Sequence, residues 1–268
     1  MMLELNNLCK TFNPGTVNEK KALKNLDLQL EKGDFVTIIG SNGAGKSTLF
    51  NAIAGTFLPD SGSVILDGQD ITRLPDHKRS KFIGRMFQDP LKGTAPNMTI
   101  EENLALAYLR ASQRKSPFSM ISEKDRKDFR ERLSMLDLGL EDRMKQPVGL
   151  LSGGQRQALT LLMATLVTPK LLLLDEHTAA LDPATADKVL ALTKSIVAEH
   201  SITCLMITHN ISSALSLGNR TIMMSQGRIV LETAGEERAS MTQEKLLQLF
   251  REKASQALDN DRILLEDN

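Results

Sequence analysis

The chain contains no tryptophan, and aromatic residues make up only 4% of its 268 residues. Lysine and arginine together number 33, as do aspartate and glutamate, so the formal net charge at pH 7 is zero. Broad nucleic-acid binding needs a surplus of positive charge, and single strands also require aromatic side chains on which bases stack. The composition therefore predicts no nucleic-acid partner.

Only two cysteines are present, Cys9 and Cys204. Each lies in an apolar, strand-like stretch far from the other, which predicts buried free thiols rather than a disulfide or a metal pair. No apolar run approaches the roughly 18 residues of a membrane span. Residues 1–5 lack the charge and the apolar core of a signal peptide. We expect a cytoplasmic protein that reaches a membrane only through a partner.

Strand-like and helix-like segments alternate through most of the chain. Residues 35–39 are typical of a buried strand, residues 46–54 follow as a helix, and Gly55 is placed to end it. The alternation resumes at Gly153. Further predicted elements are a half-buried strand at 26–30, where apolar residues alternate with period two, a helix at 184–198, buried strands at 171–174 and 203–207, and a hairpin that pairs 221–224 with 228–231. This order predicts an α/β fold with a mainly parallel sheet covered on both faces.

Helical patterns replace this alternation in the middle of the chain, with helices predicted at 101–110 and 123–136. We interpret this region as a helical insertion into the α/β core. The predicted division is a first core part (1–88), the helical insertion (89–149), a second core part (150–255) and a polar C-terminal tail (256–268).

The first buried strand leads into the pattern Gly-x-x-x-x-Gly-Lys-Ser. Gly40, Gly43 and Gly45 leave room for backbone N–H groups to converge on phosphate oxygens. Lys46 supplies a mobile charge for the β- and γ-phosphates, and the Ser47 hydroxyl can ligate Mg²⁺. The predicted nucleotide contacts also include Ser41, Asn42, Ala44 and Thr48. This phosphate cradle indicates that the ligand is a nucleoside triphosphate.

Two carboxylates follow the apolar run at 171–174. Asp175, at the exit of a buried strand, can hold Mg²⁺ through water beside the phosphates. Glu176 points differently along the strand, so it can orient the water that attacks the γ-phosphate. Alone, such a pair could end any core strand, but together with the phosphate cradle it predicts a metal ligand and a catalytic base.

A second helix begins within Leu151-Ser152-Gly153-Gly154-Gln155. Ser152 and Gln155 fit a capping box. Each glycine in a helix interior costs roughly 1 kcal/mol relative to alanine, somewhat less near the end, and a cap alone would not require two of them. A phosphate that approaches the backbone would explain both, because a helix N-terminus stabilises an anion. We therefore predict nucleotide contacts from Ser152, Gly153, Gly154 and Gln155.

With these motifs in this order, the chain resembles the ATP-binding subunit of ABC transporters over about residues 3–232. The resemblance implies a P-loop NTPase fold with a mainly parallel sheet, an N-terminal antiparallel β portion and a helical insertion. It implies ATP and Mg²⁺ as cofactors, and ATP hydrolysis coupled to transport. It also implies a head-to-tail homodimer, in which residues 151–155 of one copy face the γ-phosphate held by the cradle of the other.

Four further residues match positions of the family pattern. Phe12 lies where an aromatic ring stacks on adenine, although it could also be a phenylalanine at the edge of the core. Gln88 lies where a glutamine contacts Mg²⁺ and the attacking water. Asp182 matches a loop that crosses to the partner subunit, and Asp182-Pro183 also fits a helix N-cap with proline at the first position. His209 follows a predicted strand, as does the family histidine that contacts the γ-phosphate.

One position departs from the family pattern. Many members have proline after the catalytic glutamate, whereas this chain has His177 after Glu176. We interpret His177 as a tolerated neighbour of the base, and its position beside Glu176 leaves an effect on the base open as the alternative.

A separate cassette without fused membrane spans resembles those of bacterial import systems. This implies transmembrane permease subunits and an extracytoplasmic solute-binding protein as partners, with the cassette at the inner face of the cell membrane. Candidate apolar contacts with the permease are Phe87, Pro90, Leu91, Pro96 and Met98. The runs 94–99 and 175–182 are similar to those of amino-acid importers, although the cassette itself does not contact the solute.

Two other functions are weighed against transport. A soluble ABC-type ATPase, such as the one for iron–sulfur cluster assembly, stays open because it is also a lone cassette. Ribosome-associated relatives resemble two fused cassettes and DNA-repair relatives contain a long coiled coil, and neither arrangement fits this chain. A GTPase is disfavoured because the guanine-reading Asn-Lys-x-Asp pattern is absent.

Overall fold

The computed structural model describes residues 1–111 and 122–252. The chain divides into two compact units. The first unit comprises Met1–Asp76 and the chain from Thr203 onward, and the second comprises His77–Ile202. The polar tail predicted at 256–268 lies outside the described residues, and the boundaries predicted for the two core parts and the insertion stay predictions.

The strands in chain order are β1 (Leu3–Phe12), β2 (Lys20–Leu30), β3 (Phe35–Gly40), β4 (Ser61–Leu66), β5 (Gln69–Asp70), β6 (Ile83–Met86), β7 (Leu171–Asp175), β8 (Thr203–Ile207), β9 (Arg220–Ser225) and β10 (Arg228–Ala234). The α-helices are α1 (Lys46–Ala54), α2 (Asp76–Arg79), α3 (Ile100–Ala111), α4 (Glu123–Ser134), α5 (Gly153–Thr165), α6 (Pro183–Glu199), α7 (Ile211–Ser216) and α8 (Gly235–Ala239). Short 3₁₀ helices cover Pro90–Gly93 and Val148–Leu150, and residues 243–252 are helical.

The N-terminal part of the first unit is an antiparallel sheet with the strand order β2-β1-β4-β5. Alternate residues of β2 are buried near its C-terminal end, which explains the period-two pattern of the sequence. Asp67 and Gly68 take φ values of 50° and 75° in the turn between β4 and β5. The antiparallel portion implied by the family resemblance is therefore confirmed.

A second group of strands in the first unit has the order β10-β9-β3-β8. β3 is parallel to both β8 and β9, and β10 returns antiparallel to β9. Every residue of β8 and the first five residues of β3 are buried, as expected for parallel strands without a solvent-facing side. Because β3 and β8 run in the same direction, the cradle, which follows β3, and His209, which follows β8, lie at the same edge of these strands.

The second unit contains the parallel pair β6–β7 and most of the helices. Helices α3 and α4 confirm that the middle of the chain is helical. Together with α5 they contribute to one buried apolar cluster. Members of this cluster include Ile100, Leu104, Phe129, Leu133, Ala158, Leu159 and Leu162. The charged residues of α4 form ion pairs, of Arg126 with Glu101 of α3, of Lys127 with Glu131 and of Arg132 with Asp128.

Three features differ from expectation. Cys204 is fully buried, but Cys9 is partly exposed, so the prediction of a buried thiol was wrong for Cys9, whose Sγ lies 2.9 Å from Asn25 Oδ1. β2 begins six residues before the predicted strand at 26–30, because Lys20 to Leu23 pair with the end of β1. The short helices α2 and α8 had no pattern long enough to predict.

Within the described ranges no helix has both the length and the apolarity to cross a bilayer.

Candidate nucleotide-binding and hydrolysis site

The phosphate cradle connects β3 to α1 in the first unit. Gly45 is the N-cap of α1 in a left-handed conformation, and no side chain of the described residues caps this helix end. The positive end of α1 is therefore open to an anion. Lys46 Nζ donates to the carbonyl oxygens of Gly40 at 2.7 Å and Ser41 at 3.1 Å. These bonds hold the ammonium group against the loop that is predicted to bind phosphate.

Two of the cradle glycines are required by neighbouring backbone. A Cβ at Gly40 would lie 2.3 Å from the carbonyl oxygen of Met224 on β9. A Cβ at Gly45 would lie 2.6 Å from the carbonyl oxygen of Ala22 on β2 and 3.4 Å from Cα of Gly227 in the β9–β10 turn. The cradle is thus packed against strands from both ends of the chain, a reason for glycine that the local motif does not reveal.

Phe12, at the end of β1, is 36% exposed and belongs to an aromatic pair. Its ring packs edge-on against Phe57, with centroids 5.5 Å apart. Lys10 Nζ lies 5.8 Å from the Phe12 centroid and 5.3 Å from the Phe57 centroid, and it pairs with Asp60 at 2.8 Å. These contacts orient the Phe12 ring while leaving part of it open for stacking. Phe57 and Lys10 were not predicted, because they belong to no motif.

His209 lies two residues beyond β8 and is exposed. It lines a cavity of about 190 Å³ together with Gly40 and Ser41 of the cradle. The other lining residues are Ile39, Thr208, Ile211, Met223, Leu246, Leu247 and Phe250. The structure therefore brings His209 beside the start of the cradle, within the first unit.

Gln88 and Glu176 meet in the second unit. Met86 of β6 is paired with Leu174 of β7 in parallel register, so both strands end at the same edge. Gln88 lies two residues beyond Met86, and Glu176 lies two residues beyond Leu174. Gln88 Nε2 donates to Glu176 Oε2 at 3.1 Å. The side chain of the predicted base is thus held by the residue predicted to contact the attacking water.

Asp175 ends β7 and is 9% exposed. Arg85, on the adjacent strand, was not predicted to belong to the site. Burial lowers the pKa of Arg85, and the attraction of Asp175 acts in the opposite direction. Among the described residues, no three His, Cys, Asp or Glu side chains are arranged to hold a metal ion. The hydroxyl of Ser47, the side-chain amide of Gln88 and the carboxylate of Asp175, which were predicted as donors for Mg²⁺, are each oxygen donors of the kind that this ion takes, and Mg²⁺ also keeps several waters and binds substrate phosphates.

The start of α5 shows the predicted capping box. Ser152 Oγ accepts from Gln155 N at 3.2 Å, and Gln155 Oε1 accepts from Ser152 N at 3.1 Å. The two glycines differ in their surroundings. A Cβ at Gly154 would lie 2.1 Å from Thr185 Cγ2 of α6, whereas Gly153 is exposed. Packing against α6 therefore explains Gly154, and Gly153 and Ser152 form the open part of this helix start.

Asp182 is the N-cap of α6, and Pro183 occupies its first position. Its carboxylate accepts from Thr185 N at 3.1 Å. The hydrogen bonding to Thr185 lowers the pKa of Asp182, which keeps this exposed cap ionised. A Cβ at Gly153 would lie 3.3 Å from Leu181 Cδ2, so the Asp182 loop and the open start of α5 are neighbours.

His177 is only 1% exposed, although it directly follows Glu176. Its Nε2 lies 3.2 Å from Thr193 Oγ1. Burial lowers the pKa of His177 to about 4, so the imidazole is neutral at physiological pH. The side chain belongs to the interior of the second unit rather than to its surface.

A buried strand that leads through this glycine-rich loop into an open helix N-terminus defines the phosphate site of a P-loop NTPase. A family model described as ABC transporter matches residues 23–179, more than half of the chain. The chain belongs to the ATP-binding subunits of the ABC transporter family.

The relatives include import proteins of known name. The chain is 44% identical over 250 residues to a tyrosine transport ATP-binding protein of Clostridioides difficile, covering 93% of this chain and 98% of the relative. It is 37% identical to the methionine import ATP-binding protein MetN of Haemophilus influenzae, covering 88% of this chain and 66% of the relative. The dimeric ATP-binding cassette MJ0796, bound to ADP and Pi, superposes with a TM-score of 0.76 at 32% identity, covering 87% of this chain and 98% of that one.

These similarities confirm both the fold and the class of activity that the sequence predicts for the chain. The chain is an ATP-binding and ATP-hydrolysing subunit of an ABC transport system. The alternative of a soluble ATPase without a transport role is not supported, because the similar proteins are named for transport or import.

Proposed function

We propose that the chain powers the import of a small solute, an amino acid, by binding and hydrolysing ATP for a membrane-embedded permease. One similar protein is named for tyrosine transport and another for methionine import. Both solutes are amino acids, which supports this class of substrate.

In this proposal the cradle and the aromatic pair bind ATP. Phe12 stacks on adenine, and Lys46 neutralises the β- and γ-phosphates. The remaining cradle contacts come from Gly40, Ser41, Asn42, Gly43, Ala44, Gly45, Ser47 and Thr48. Ser47, Gln88 and Asp175 would hold Mg²⁺, which supplies positive charge to the phosphates when it is bound.

Hydrolysis depends on Glu176 in this proposal. The main support for this role of Glu176 is the 3.1 Å contact between Gln88 and Glu176 at the ends of two parallel strands. A carboxylate held at this edge can orient a water molecule for in-line attack on the γ-phosphate. His209 would contact that phosphate from the end of β8.

The active unit is proposed to be a head-to-tail homodimer. Ser152 and Gly153 are exposed at the start of α5, and with Gly154 and Gln155 they would face the γ-phosphate bound by the partner copy. Asp182 would lie along the same interface. A similar solved cassette is itself dimeric, which supports this arrangement.

The partners are proposed to be permease subunits and an extracytoplasmic solute-binding protein, with the cassette at the inner face of the membrane. Exposed leucines of the second unit offer apolar contacts for the permease: Leu91 (44% exposed), Leu106 (50%) and Leu150 (76%). Of the residues suggested from sequence, Pro96 is exposed, Phe87 and Met98 are partly buried, and the side chain of Pro90 lies outside the described residues.

The proposal is tested with Glu176→Gln and, as a matched control, Glu199→Gln at the exposed end of α6. Glu176→Gln should reduce the ATPase rate at least a hundredfold, because the amide cannot orient the water as a base, and should trap an ATP-bound dimer visible by size-exclusion chromatography. Glu199→Gln should change neither. In vesicles with the permease that copurifies with the chain, ATP-driven uptake of labelled tyrosine should be lost only with Glu176→Gln. Full ATPase activity of Glu176→Gln would refute the role of the base.

A further inference from the structure

The surroundings of His177 determine which of its two ring nitrogens carries the proton. Thr193 Oγ1 lies 2.8 Å from the carbonyl oxygen of Val189, one helical turn earlier in α6, and donates its single proton to it. Thr193 can therefore only accept from His177, so His177 Nε2 carries the proton. Nδ1 is then an acceptor, and it has no hydrogen-bond partner among the described residues. The imidazole is thus held by one directed hydrogen bond rather than by a network.

Glu176 has a backbone conformation that needs support. Its φ is 46°, in the left-handed region that residues other than glycine seldom adopt. Ala179 N donates to Glu176 O at 3.0 Å, which closes a turn immediately after β7. The next side chain, His177, is the part of this turn that is anchored in the interior. Its hydrogen bond reaches Thr193, near the middle of α6 and far along the chain.

We propose that His177 is a positioning residue for the general base, and that its hydrogen bond to Thr193 fixes the backbone of Glu176 so that the carboxylate meets the attacking water. This inference rests on the proposed function of Glu176. The side chain of Glu176 is then oriented from two directions, by Gln88 at its carboxylate and by His177 through the backbone. Because α6 begins at Asp182, the same bond fixes the turn that joins the base to the proposed dimer interface.

A histidine that only filled space would be replaceable by an apolar residue of similar size. The two roles differ in what they affect: filling space supports the free energy of unfolding, whereas positioning supports the rate of the chemical step. A misplacement of a catalytic group by about 1 Å can lower a rate a hundredfold. The test must therefore separate kcat from KM and from stability.

The hydrogen bond is removed from either side. Thr193→Val and His177→Leu keep the approximate volume, and we expect each to lower kcat about tenfold while the KM for ATP changes by less than about twofold. The double variant should be no slower than the slower single variant, because both changes remove one bond. Thr193→Ser and His177→Gln, which keep a hydroxyl and an N–H near the original positions, should recover most of kcat.

Thr165→Val is the matched control, because Thr165 is another buried helical threonine that donates to a backbone carbonyl, that of Leu161 at 2.8 Å. It should lower the melting temperature as Thr193→Val does but leave kcat unchanged. The inference is overturned if Thr193→Val and His177→Leu lower only the melting temperature, or if the conservative variants fail to recover kcat. Failure of the proposed function is a separate result, since it would appear as full activity of Glu176→Gln.

Discussion

The ring of Phe12 illustrates how much a single side chain depends on residues from other segments. Its position on β1 matches the family pattern, but Phe57 and Lys10 orient it. Lys10 is in turn held by Asp60. The proposed adenine platform is therefore a cluster built by packing rather than one residue.

Phe12→Ala should weaken ATP binding roughly fivefold to 150-fold, because base–aromatic stacking contributes roughly 1–3 kcal/mol per base and about 1.4 kcal/mol corresponds to a factor of ten. Phe12→Tyr keeps the ring and should bind normally. Titration of fluorescent ATP in the absence of turnover provides the measurement. As a control, Phe82→Ala removes another ring beside a lysine, since Lys170 Nζ lies 5.6 Å from the Phe82 centroid, and should leave the affinity unchanged. Unaltered affinity of Phe12→Ala would argue against stacking at this position.

Individual site residues were predictable where a motif fixes their spacing. Lys46, Ser47, Asp175 and Glu176 follow from strand–loop patterns whose chemistry requires those residue types. Thr193 was not predictable, because its contact with His177 depends on how α6 packs. The sequence alone also could not separate Gly153 from Gly154, since the difference arises from the distance to Thr185.

Two helices of the second unit begin with the same capping box, which allows a matched comparison. Ser122 caps α4 with Asp125, and Ser152 caps α5 with Gln155. Only the start of α5 is proposed to face a nucleotide. The loss of a cap and the loss of a phosphate contact can therefore be measured separately.

Ser122→Ala and Ser152→Ala should each lower the free energy of unfolding by about 1 kcal/mol, because each leaves a helix N–H without its cap. Urea unfolding measures this loss. Only Ser152→Ala should also reduce ATPase activity, since only it removes a proposed donor to the γ-phosphate. Equal ATPase rates in the two variants would leave Ser152 with a capping role alone.

Elements with clear end signals were predicted closely. The helix expected at 46–54 is α1 itself, because Gly45 and Gly55 both adopt the left-handed conformation at its ends, and the strand expected at 203–207 is β8. The start of β2 was missed because residues 20–25 lack alternation and are extended through pairing with β1 and a bond from Lys24 N to Gly227 O. Pairing with another strand depends on residues outside the segment, so the pattern of that segment alone does not contain it.

The proposed dimer makes each ATP site a joint product of two copies. The cradle would come from one chain and the open start of α5 from the other. Complementation between two inactive variants can therefore distinguish this dimer from two independent monomers.

Lys46→Ala and Gly153→Asp should each abolish ATPase activity when alone, the first by removing phosphate binding and the second by placing a carboxylate against the partner's γ-phosphate. Mixed in equal amounts, they should regain about a quarter of wild-type activity, because half of the dimers would contain one intact site. Steady-state ATPase assays of the mixture measure this recovery. If instead each site were built by one chain, mixing would restore nothing.

The contact between the cradle and the β9–β10 hairpin has a consequence for synthesis. Gly40 is in register with Met224, and Gly227 N donates to Ala44 O at 2.9 Å. A nascent polypeptide that the ribosome has extended only to residue 219 would therefore possess the complete Gly-x-x-x-x-Gly-Lys-Ser segment but not the strand that shapes it. Such long-range closure delays folding, so nucleotide should begin to protect the growing chain from proteolysis only after the hairpin has emerged.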